Sequence, residues 1–562
     1  MAMKRRLENY EIERQLLFNS DSDCCTEDED NDWGYEDEDD EELVQPPPSS
    51  LSSLSSSPSS WGPPQQHRRR GVNNFSGEAV GINLNKAPHV NKDSTPLCVF
   101  LLFFREIIHL LVEETNRYYH QYLDSLEDGP SPLPDITDSE MFLFLGVIIQ
   151  MGHDIRDQIR DYWATAEQFL TSFYGKTLKR DRFLHILRFL HFTDNNAGID
   201  RQADNYDRLW KIRTIFDTLN DGYEKYYNPS EHLAVDEIIV KFKGRVIFRQ
   251  YIPKKHKRFG IKIFKLCDSA GYTYDMKVYL GKDRTRADQE VTATHATVRD
   301  LCKRVEGVGH KLYMDNFFSS PDLFDELMTK KISCCGTVRP NRKGLPQDIR
   351  NRQLRLKKGD IRVRVRGDMT VLVWKDKRDV YMLTNMHAPP AEGNFCDEHR
   401  NAIKPAIVAD YNMHMGYVDK ADRMTNSYSI SRRTWKWTKK LFFHLLDLTI
   451  LNSFIVLSSC GAKISHRDFR LTLVRNMLEH AATCRPRPQG PLGRPPALSS
   501  TIYRLEEASR QHWPNHSDKR LNCRVCSARG KRRRIQTKCE KCDVGLCILG
   551  CFKEYHTKPR FS

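Results

Sequence analysis

Residues 233 to 242 read Leu233-Ala-Val-Asp-Glu-Ile-Ile-Val-Lys-Phe242. Apolar and β-branched residues dominate this run and Gly244 punctuates it, which is the pattern of a strand. Asp236 interrupts it. A carboxylate on a buried strand is costly unless it is paired or binds a cation. A second run, Lys311-Leu-Tyr-Met-Asp315, ends on another aspartate. Between them lie the β-rich stretches Val246 to Tyr251, Ile261 to Leu266 and Tyr272 to Leu280, then a helical stretch near Ala287 to Val305. After them, Ser320-Pro321 opens a helix as N-cap and first residue, and Ile332 to Val338 is again a strand. Strands, a crossover helix, then strand, helix and strand imply a mixed α/β sheet. Such sheets also place their sites at the ends of adjacent strands, and Asp315 ends one. Taken singly, Asp236 also fits a turn or cap residue, and Asp315 a residue before a tight turn.

A third carboxylate candidate lies further on, in Met415-Gly-Tyr-Val-Asp419-Lys-Ala-Asp422. Asp419 and Asp422 are three apart and can share one helical face. Three carboxylates converging from distant segments suit two Mg²⁺ ions about 3.5–4 Å apart, with Mn²⁺ as the alternative. Such a pair serves phosphodiester chemistry, one ion activating a water or sugar hydroxyl and the other stabilising the leaving oxygen.

Outward from this core the pattern changes. Upstream, residues 96 to about 230 read as helical, with Val99, Leu102, Phe103, Ile107, Leu110 and Leu111 at helical spacing. Met141 to Met151, Arg182 to Phe192 and Trp210 to Leu219 continue the helical region, and Asp138 is a candidate cap. Downstream, Ile361-Arg-Val-Arg-Val-Arg, Val371-Leu-Val-Trp and Val380-Tyr-Met-Leu alternate like a small antiparallel insertion. Tyr411 to Leu457 returns to helix. Residues 1 to 95, rich in acidic residues, Pro and Ser, bury too little apolar surface to order, so disorder is expected there.

The charge is unevenly distributed. Lys and Arg number 88 and Asp and Glu 74, a net charge of +14, yet Asp21 to Glu42 holds 14 acidic residues and no Lys or Arg. The rest carries 88 basic residues against 60 acidic, a surplus of 28, which calls for a polyanionic partner and nucleic acid first. The acidic run either competes with DNA for the basic body or is a solubilising tail. Ser20 and Thr26 within reach of it carry the weak spacing of acid-directed kinase sites. No apolar run is expected to span a bilayer; the longest candidate, Leu97 to Leu111, holds Arg105, Glu106 and His109. The opening Met-Ala-Met-Lys-Arg-Arg-Leu-Glu lacks the apolar core of a secretory signal, so a cytosolic or nuclear setting is expected. There the 16 cysteines should be thiols or metal ligands.

At these residues the sequence resembles the piggyBac family of DNA transposases. Leu233-Ala-Val-Asp-Glu, Phe242-Lys-Gly-Arg245, Phe248-Arg249-Gln-Tyr-Ile-Pro, Phe259-Gly-Ile-Lys and Cys267-Asp268-Ser are similar to the segment around that family's first catalytic aspartate. Tyr313-Met-Asp-Asn-Phe-Phe-Ser resembles the second, and Asp410-Tyr-Asn-Met-His-Met-Gly-Tyr-Val-Asp-Lys-Ala-Asp-Arg the third. Arg432-Arg433-Thr-Trp-Lys-Trp437 and Asn452-Ser-Phe follow as in the family, and Asn116-Arg-Tyr-Tyr and Gly146 to Met151 fit its helical region. The resemblance implies an RNase H-like core with Asp236, Asp315 and Asp419 as a DDD triad and Asp422 as a further carboxylate. It implies Arg339 and Arg342 as target-DNA contacts. It also implies cut-and-paste transposition through hairpin intermediates at TTAA, by a homodimer or higher oligomer on double-stranded transposon ends. A domesticated, non-catalytic nuclear DNA-binding descendant and an unrelated two-metal nuclease are the alternatives. The intact triad favours the active enzyme.

The tail spaces ligands as Cys523-x2-Cys526, Cys539-x2-Cys542, Cys547-x3-Cys551 and His556, a zinc pattern one ligand short of two tetrahedral sites. His512 is the eighth, with His516 the alternative. The family's cross-brace zinc domain implies one site of Cys523, Cys526, Cys547 and Cys551 and another of Cys539, Cys542, His556 and His512. Lys531, Arg532, Arg533 and Arg534 inside it read as phosphate contacts, a nuclear localisation signal or a solvated loop. Arg432, Arg433, Lys436, Lys439 and Lys440, interleaved with Trp435 and Trp437, read as a DNA-facing helix, although the tryptophans fit a core equally.

The expected organisation is a disordered acidic region at 1–95, then a helical dimerisation and DNA-binding domain at 96–230 and 432–482. The RNase H-like catalytic domain spans 231–338 and 407–431, with a β-rich insertion at 339–406. A linker at 483–510 leads to a zinc-binding domain at 511–560. The expected location is the nucleus.

Overall fold

The computed structural model describes residues 60–64, 74–126, 133–198, 203, 206–253, 258–281, 291–350, 355–430, 434–484 and 512–558. The acidic run, Ser20, Thr26, Arg432, Arg433 and nearly all of the 483–510 linker lie outside them. The chain divides into two compact units, Met1–Arg485 and Pro486–Ser562, each described by itself.

The large unit opens with helices. α1 (Pro96–Asp124) starts at Thr95, whose side chain caps Cys98 N, with proline next. α2 (Asp138–Gln150) is capped by Thr137 and not by Asp138: Thr137 and Glu140 form a reciprocal capping box, and Asp138 is the first helical residue. α3 (Arg180–Phe189) and α4 (Arg213–Lys225) follow.

The sheet begins with β1 (His232–Lys241), the strand that carries Asp236, then β2 (Arg249–Tyr251), β3 (Phe259–Asp268) and β4 (Thr273–Val278). β3 pairs antiparallel with β1, and both β2 and β4 pair with β3. α5 (Ala293–Cys302) crosses over to β5 (Lys311–Met314), which lies parallel to β1. α6 (Pro321–Thr329), capped by Ser320 as expected, leads to β6 (Ser333–Thr337), parallel to β5. A parallel pair needs such a crossover, and a helix supplies it. β7 (Asp360–Arg366), β8 (Met369–Lys375) and β9 (Asp379–Thr384) form the expected antiparallel meander. It does not stand alone. β9 pairs with β6, and β10 (Gly393–Asn394) pairs with β7, giving ten strands in one sheet.

α7 (Ala406–His414) and α8 (Tyr417–Asn426) then return to the sheet, followed by α9 (Trp437–Ser459) and α10 (His466–Cys484). α9 is apolar on all sides and, against expectation, is long and apolar enough to cross a membrane by length and composition. Its most apolar stretch is 89% buried inside the unit, where the helix packs on α1. All-round apolarity marks a core helix as well as a spanning one. Arg470 and Asp447, both buried, join α10 to α9 at 2.8 Å. Gly146 lets α2 approach α10: a Cβ there would stand 2.8 Å from Leu478 Cδ1.

Candidate active site and metal centres

The register of the sheet lines up the expected aspartates. Met276 on β4 faces Lys265 on β3, and Lys265 faces Asp236 on β1. β1 and β5 pair through Val235 and Met314, so Asp236 and Asp315 each follow the last registered pair. β5 and β6 pair through Met314 and Gly336, which brings Thr337 to the same level. Adjacent strands lie about 4.8 Å apart, so one row crosses the sheet in the order Met276, Lys265, Asp236, Asp315, Thr337. Asp236 and Asp315 are part-buried. Asp236 Oδ1 accepts from its neighbour Glu237 N at 2.8 Å, and Asp315 Oδ1 accepts from Phe317 N at 3.0 Å. The turn after Asp315 is further held by Ser319, whose Oγ donates to Asp315 O at 2.9 Å.

α7 and α8 cover this face. Tyr411 on α7 lies within electrostatic reach of both Asp315 and Asp236, and its hydroxyl is 3.5 Å from Thr337 Oγ1. Burial first, then its neighbours' charges, push the Tyr411 phenol up to about 12. Asp410, one residue earlier, is a hub that no local sequence pattern marks. Its Oδ2 accepts from the buried Tyr313 hydroxyl at 2.7 Å and lies 3.0 Å from His387 Nε2. Its Oδ1 lies 3.3 Å from His414 Nδ1. The His414 ring stacks on Tyr313 and His232. The hub therefore fixes α7 to β5 directly beneath the row.

α8 packs on β1 and β3, and Lys420 anchors it by donating to Ser269 O at 2.8 Å. Val418, Ala421 and Thr425 form its buried face. Asp422 lies beside that face, part-buried with Oδ1 shielded from solvent, whereas Asp419 is exposed. The two expected neighbours thus point differently. The carboxylate oxygens of Asp236, Asp315, Asp419 and Asp422 are not drawn into a single cluster within 4.8 Å; among the described residues only two ligand groups are, both in the small unit. The donor set itself, hard oxygens on adjacent strands and one helix, fits Mg²⁺ or Mn²⁺.

The expected DNA contacts separate. Arg339 is part-buried in the turn after β6. Arg342 Nη2 donates to Asn316 O at 2.8 Å and Phe317 O at 3.0 Å, so it braces the loop after Asp315. Lys436 lies over the Tyr118 ring at 5.7 Å, Trp435 is 42% exposed and Lys440 is part-buried. Lys439 does not face DNA. It is buried, and its Nζ donates to Leu187 O at 2.6 Å and Arg188 O at 3.0 Å, capping the last turn of α3. Cations spaced along a basic segment do not all lie on one side of a helix, and Lys439 falls on the inner one. Trp437 packs on Phe248, as a core residue.

The small unit is a hairpin of β11 (Pro514–Asn522) and β12 (Arg534–Cys539) with α11 (Arg524–Ala528) between them and α12 (Cys551–Thr557) after. It gathers the eight expected ligands into two groups, Cys523, Cys526, Cys547, Cys551 and His512, Cys539, Cys542, His556. Cys526 Sγ lies 3.9 Å from Cys547 Sγ and 3.7 Å from Cys551 Sγ. Cys542 Sγ lies 3.3 Å from His512 Nδ1 and 3.6 Å from His556 Nε2. His556 Nδ1 bonds Phe552 O at 2.7 Å, which turns Nε2 toward the site as an outer-shell partner should. His516 lies on β11 outside both groups. Four soft or borderline donors within 4.8 Å suit a tetrahedral ion such as Zn²⁺. Lys531, Arg532, Arg533 and Arg534 are all exposed.

Comparison with known proteins places this arrangement. A family model described as "Transposase IS4" matches residues 95–454, which include all four aspartates. PiggyBac transposable element-derived protein 2 of Homo sapiens is 26% identical over 496 residues, covering 84% of this chain and 78% of that protein. PiggyBac transposable element-derived protein 3 of Homo sapiens is also 26% identical, over 83% of this chain and 76% of that one. A cryo-EM structure of the piggyBac transposase synaptic complex with hairpin DNA superposes with a TM-score of 0.64 at 25% identity, covering 84% of this chain and all of that one. Matches of sequence over most of both chains, and of fold over all of the solved one, agree on one lineage: the chain belongs to the piggyBac family of transposases.

Proposed function

We propose that this chain is a cut-and-paste DNA transposase whose active site is the row Asp236–Asp315 with Asp419 from α8 and Asp422 beside it. The observation that carries the reading is the register: two distant aspartates each directly follow a paired position on adjacent parallel strands. The order β4-β3-β1-β5-β6, three antiparallel strands followed by two parallel ones, supports an RNase H-like core. β7–β9 then count as the insertion.

Two Mg²⁺ ions held by Asp236, Asp315 and Asp419, with Mn²⁺ as substitute, would supply Lewis-acid stabilisation of phosphodiester substitution. The chain's own residues do the rest. Asp236 and Asp315 fix negative charge at one level of the sheet. Arg342 and Ser319 hold the turn that presents Asp315. Tyr411 and Asp410 fix α7 over the row. Arg339 contacts target DNA, and Lys531 to Arg534 contact phosphates of the transposon end.

The reaction is a series of substitutions at phosphorus, each making one P–O bond and breaking one. Water frees the transposon 3′ end. That 3′-hydroxyl attacks the opposite strand to give a hairpin. Water opens the hairpin, and the 3′-hydroxyls join staggered positions at TTAA. Synapsis of two ends calls for at least a dimer, and the substrate places the protein in the nucleus. The small unit is a cross-brace domain carrying two structural Zn²⁺ ions.

The human relatives bear names that mark them as derived from transposable elements, and this favours a second reading, a domesticated DNA-binding protein. A donor with terminal repeats flanked by TTAA separates the two. Excision and integration lost on Asp236→Asn or Asp315→Asn, with folding kept, support the enzyme. Wild-type activity in either variant refutes the site. DNA binding without excision by the wild-type chain, given matched repeats, supports the domesticated reading.

A further inference from the structure

Lys265 is fully buried, at 0% exposure, in the middle of β3. A buried ammonium is costly unless a carboxylate stands beside it. The register supplies one: Lys265 is the direct cross-strand partner of Asp236, and side chains so opposed have Cβ atoms about 4.5–5.5 Å apart. On its other side stands Met276, which offers no charge. The Cys267 thiol, on the same face, feels both groups, lowered by Lys265 and raised by Asp236, while burial pushes it up to about 11 overall. α8, bearing Asp422, packs across β1 and β3 over this place. The row thus runs from a cation through two carboxylates to a hydroxyl, and the cation lies inside the protein while the carboxylates open toward the α7–α8 side.

We propose that Lys265 is a positioning residue, a resident counter-ion that holds Asp236 in place and competes with divalent cations for its carboxylate until a DNA phosphate arrives. The inference rests on the reading of Asp236 as a metal ligand. The chemistry is electrostatic only, with no bond made or broken. An ammonium one strand away lowers the affinity of the site for a doubly charged ion and keeps the carboxylates from repelling one another when that ion is absent. A scissile phosphate adds negative charge to the same place and offsets the ammonium. Cation loading and DNA loading are then coupled, and the coupling is reciprocal. A nuclease-type site so built is weakly loaded without substrate.

The test uses the full-length, zinc-loaded chain without DNA and measures free Mn²⁺ by electron paramagnetic resonance. Lys265→Met keeps the length of the side chain and removes the charge. It is expected to tighten Mn²⁺ binding by about tenfold or more, since a unit charge at this range is worth at least that much. Lys265→Arg keeps the charge and is expected to stay within about threefold of wild type by the same reasoning. Lys265→Gln, neutral and able to hydrogen-bond, makes the same comparison where the Met variant does not fold. Unchanged or weaker Mn²⁺ binding in folded Lys265→Met or Lys265→Gln overturns the proposal. Asp236→Asn is the control that separates the two levels of inference. Binding lost in Asp236→Asn upholds the metal reading, whereas binding unchanged there overturns that reading and this proposal with it.

Discussion

Removing the Asp410 carboxylate tests whether the hub under the active row acts as a unit. Asp410 takes a hydrogen bond from the Tyr313 hydroxyl at 2.7 Å and stands 3.0 Å from His387 Nε2 and 3.3 Å from His414 Nδ1. Tyr313 is fully buried, and burial first, then Asp410, hold its phenol protonated far above the usual range. Asp410→Ala leaves that hydroxyl without its acceptor, a loss of about 1–3 kcal/mol, and the two less buried imidazoles add a smaller amount. Tyr313→Phe removes the donor and leaves the histidines paired, so about 1 kcal/mol is expected. In the double variant the orphaned hydroxyl no longer exists. The two losses should therefore fall short of additivity by about 1–3 kcal/mol. Urea denaturation of the four chains, followed by tryptophan emission, gives the midpoints and the coupling. Excision by the same chains reports whether α7 still holds the row. A coupling below about 0.5 kcal/mol, the ordinary scatter of additivity, would refute the hub.

Other perturbations have equally definite outcomes. Cys526→Ser should remove one of two zinc ions per chain by metal analysis and leave the His512, Cys539, Cys542, His556 site filled; loss of neither ion contradicts the allocation. Replacing Lys531, Arg532, Arg533 and Arg534 with glutamine should flatten the dependence of log affinity for transposon-end DNA on log salt, by about 0.9 for each phosphate no longer neutralised. An unchanged slope places these exposed side chains off the DNA. His153 and His466 are held down to about 4, by burial first and then by the Arg470 charge. Below pH 6.5 the unfolded chain takes up protons that the folded one refuses, so stability falls as pH drops from 6.5 to about 4 and levels off beneath it. His153→Gln should lessen that fall in acid titrations of unfolding, and an identical profile would place the cause elsewhere.

The parts of the site written in local pattern were legible in the residues alone. β5 announced itself by an apolar run that ends on Asp315 and β1 by one that Asp236 interrupts, and ligand spacing in the tail marked seven zinc ligands, while their division into two sites came with the family resemblance. What escaped was set by burial and phase. Ile261 to Leu266 read only as one β-rich run among several. As part of β3 it lies between β1 on one side and β2 and β4 on the other, and its lysines Lys262 and Lys265 are buried, Lys262 against Phe317 and Phe264. Lys439 belonged to a basic cluster in sequence and to the core in space. Asp410 stood out only as part of a longer motif, because a carboxylate on a helix gives no hint that a tyrosine, 97 residues earlier, donates to it. The meander at 360–384 looked self-contained since its strands pair with one another; its bond to β6 depends on an edge that only the assembled sheet presents.

The order of ligands in the small unit has a consequence for how it comes into being. Along the chain they alternate between the two groups: His512, then Cys523 and Cys526, then Cys539 and Cys542, then Cys547 and Cys551, then His556. No continuous segment short of Cys523–Cys551 contains a full set, and the second set closes only at His556. Each half of the unit is therefore stitched to the other, and neither can be cut away as a smaller folded finger. During synthesis the first complete ion cage forms only when Cys551 has emerged, five residues before the second. Completion of the two cages is thus compressed into five residues of chain, and a nick anywhere between Cys523 and Cys551 interrupts the span of both at once.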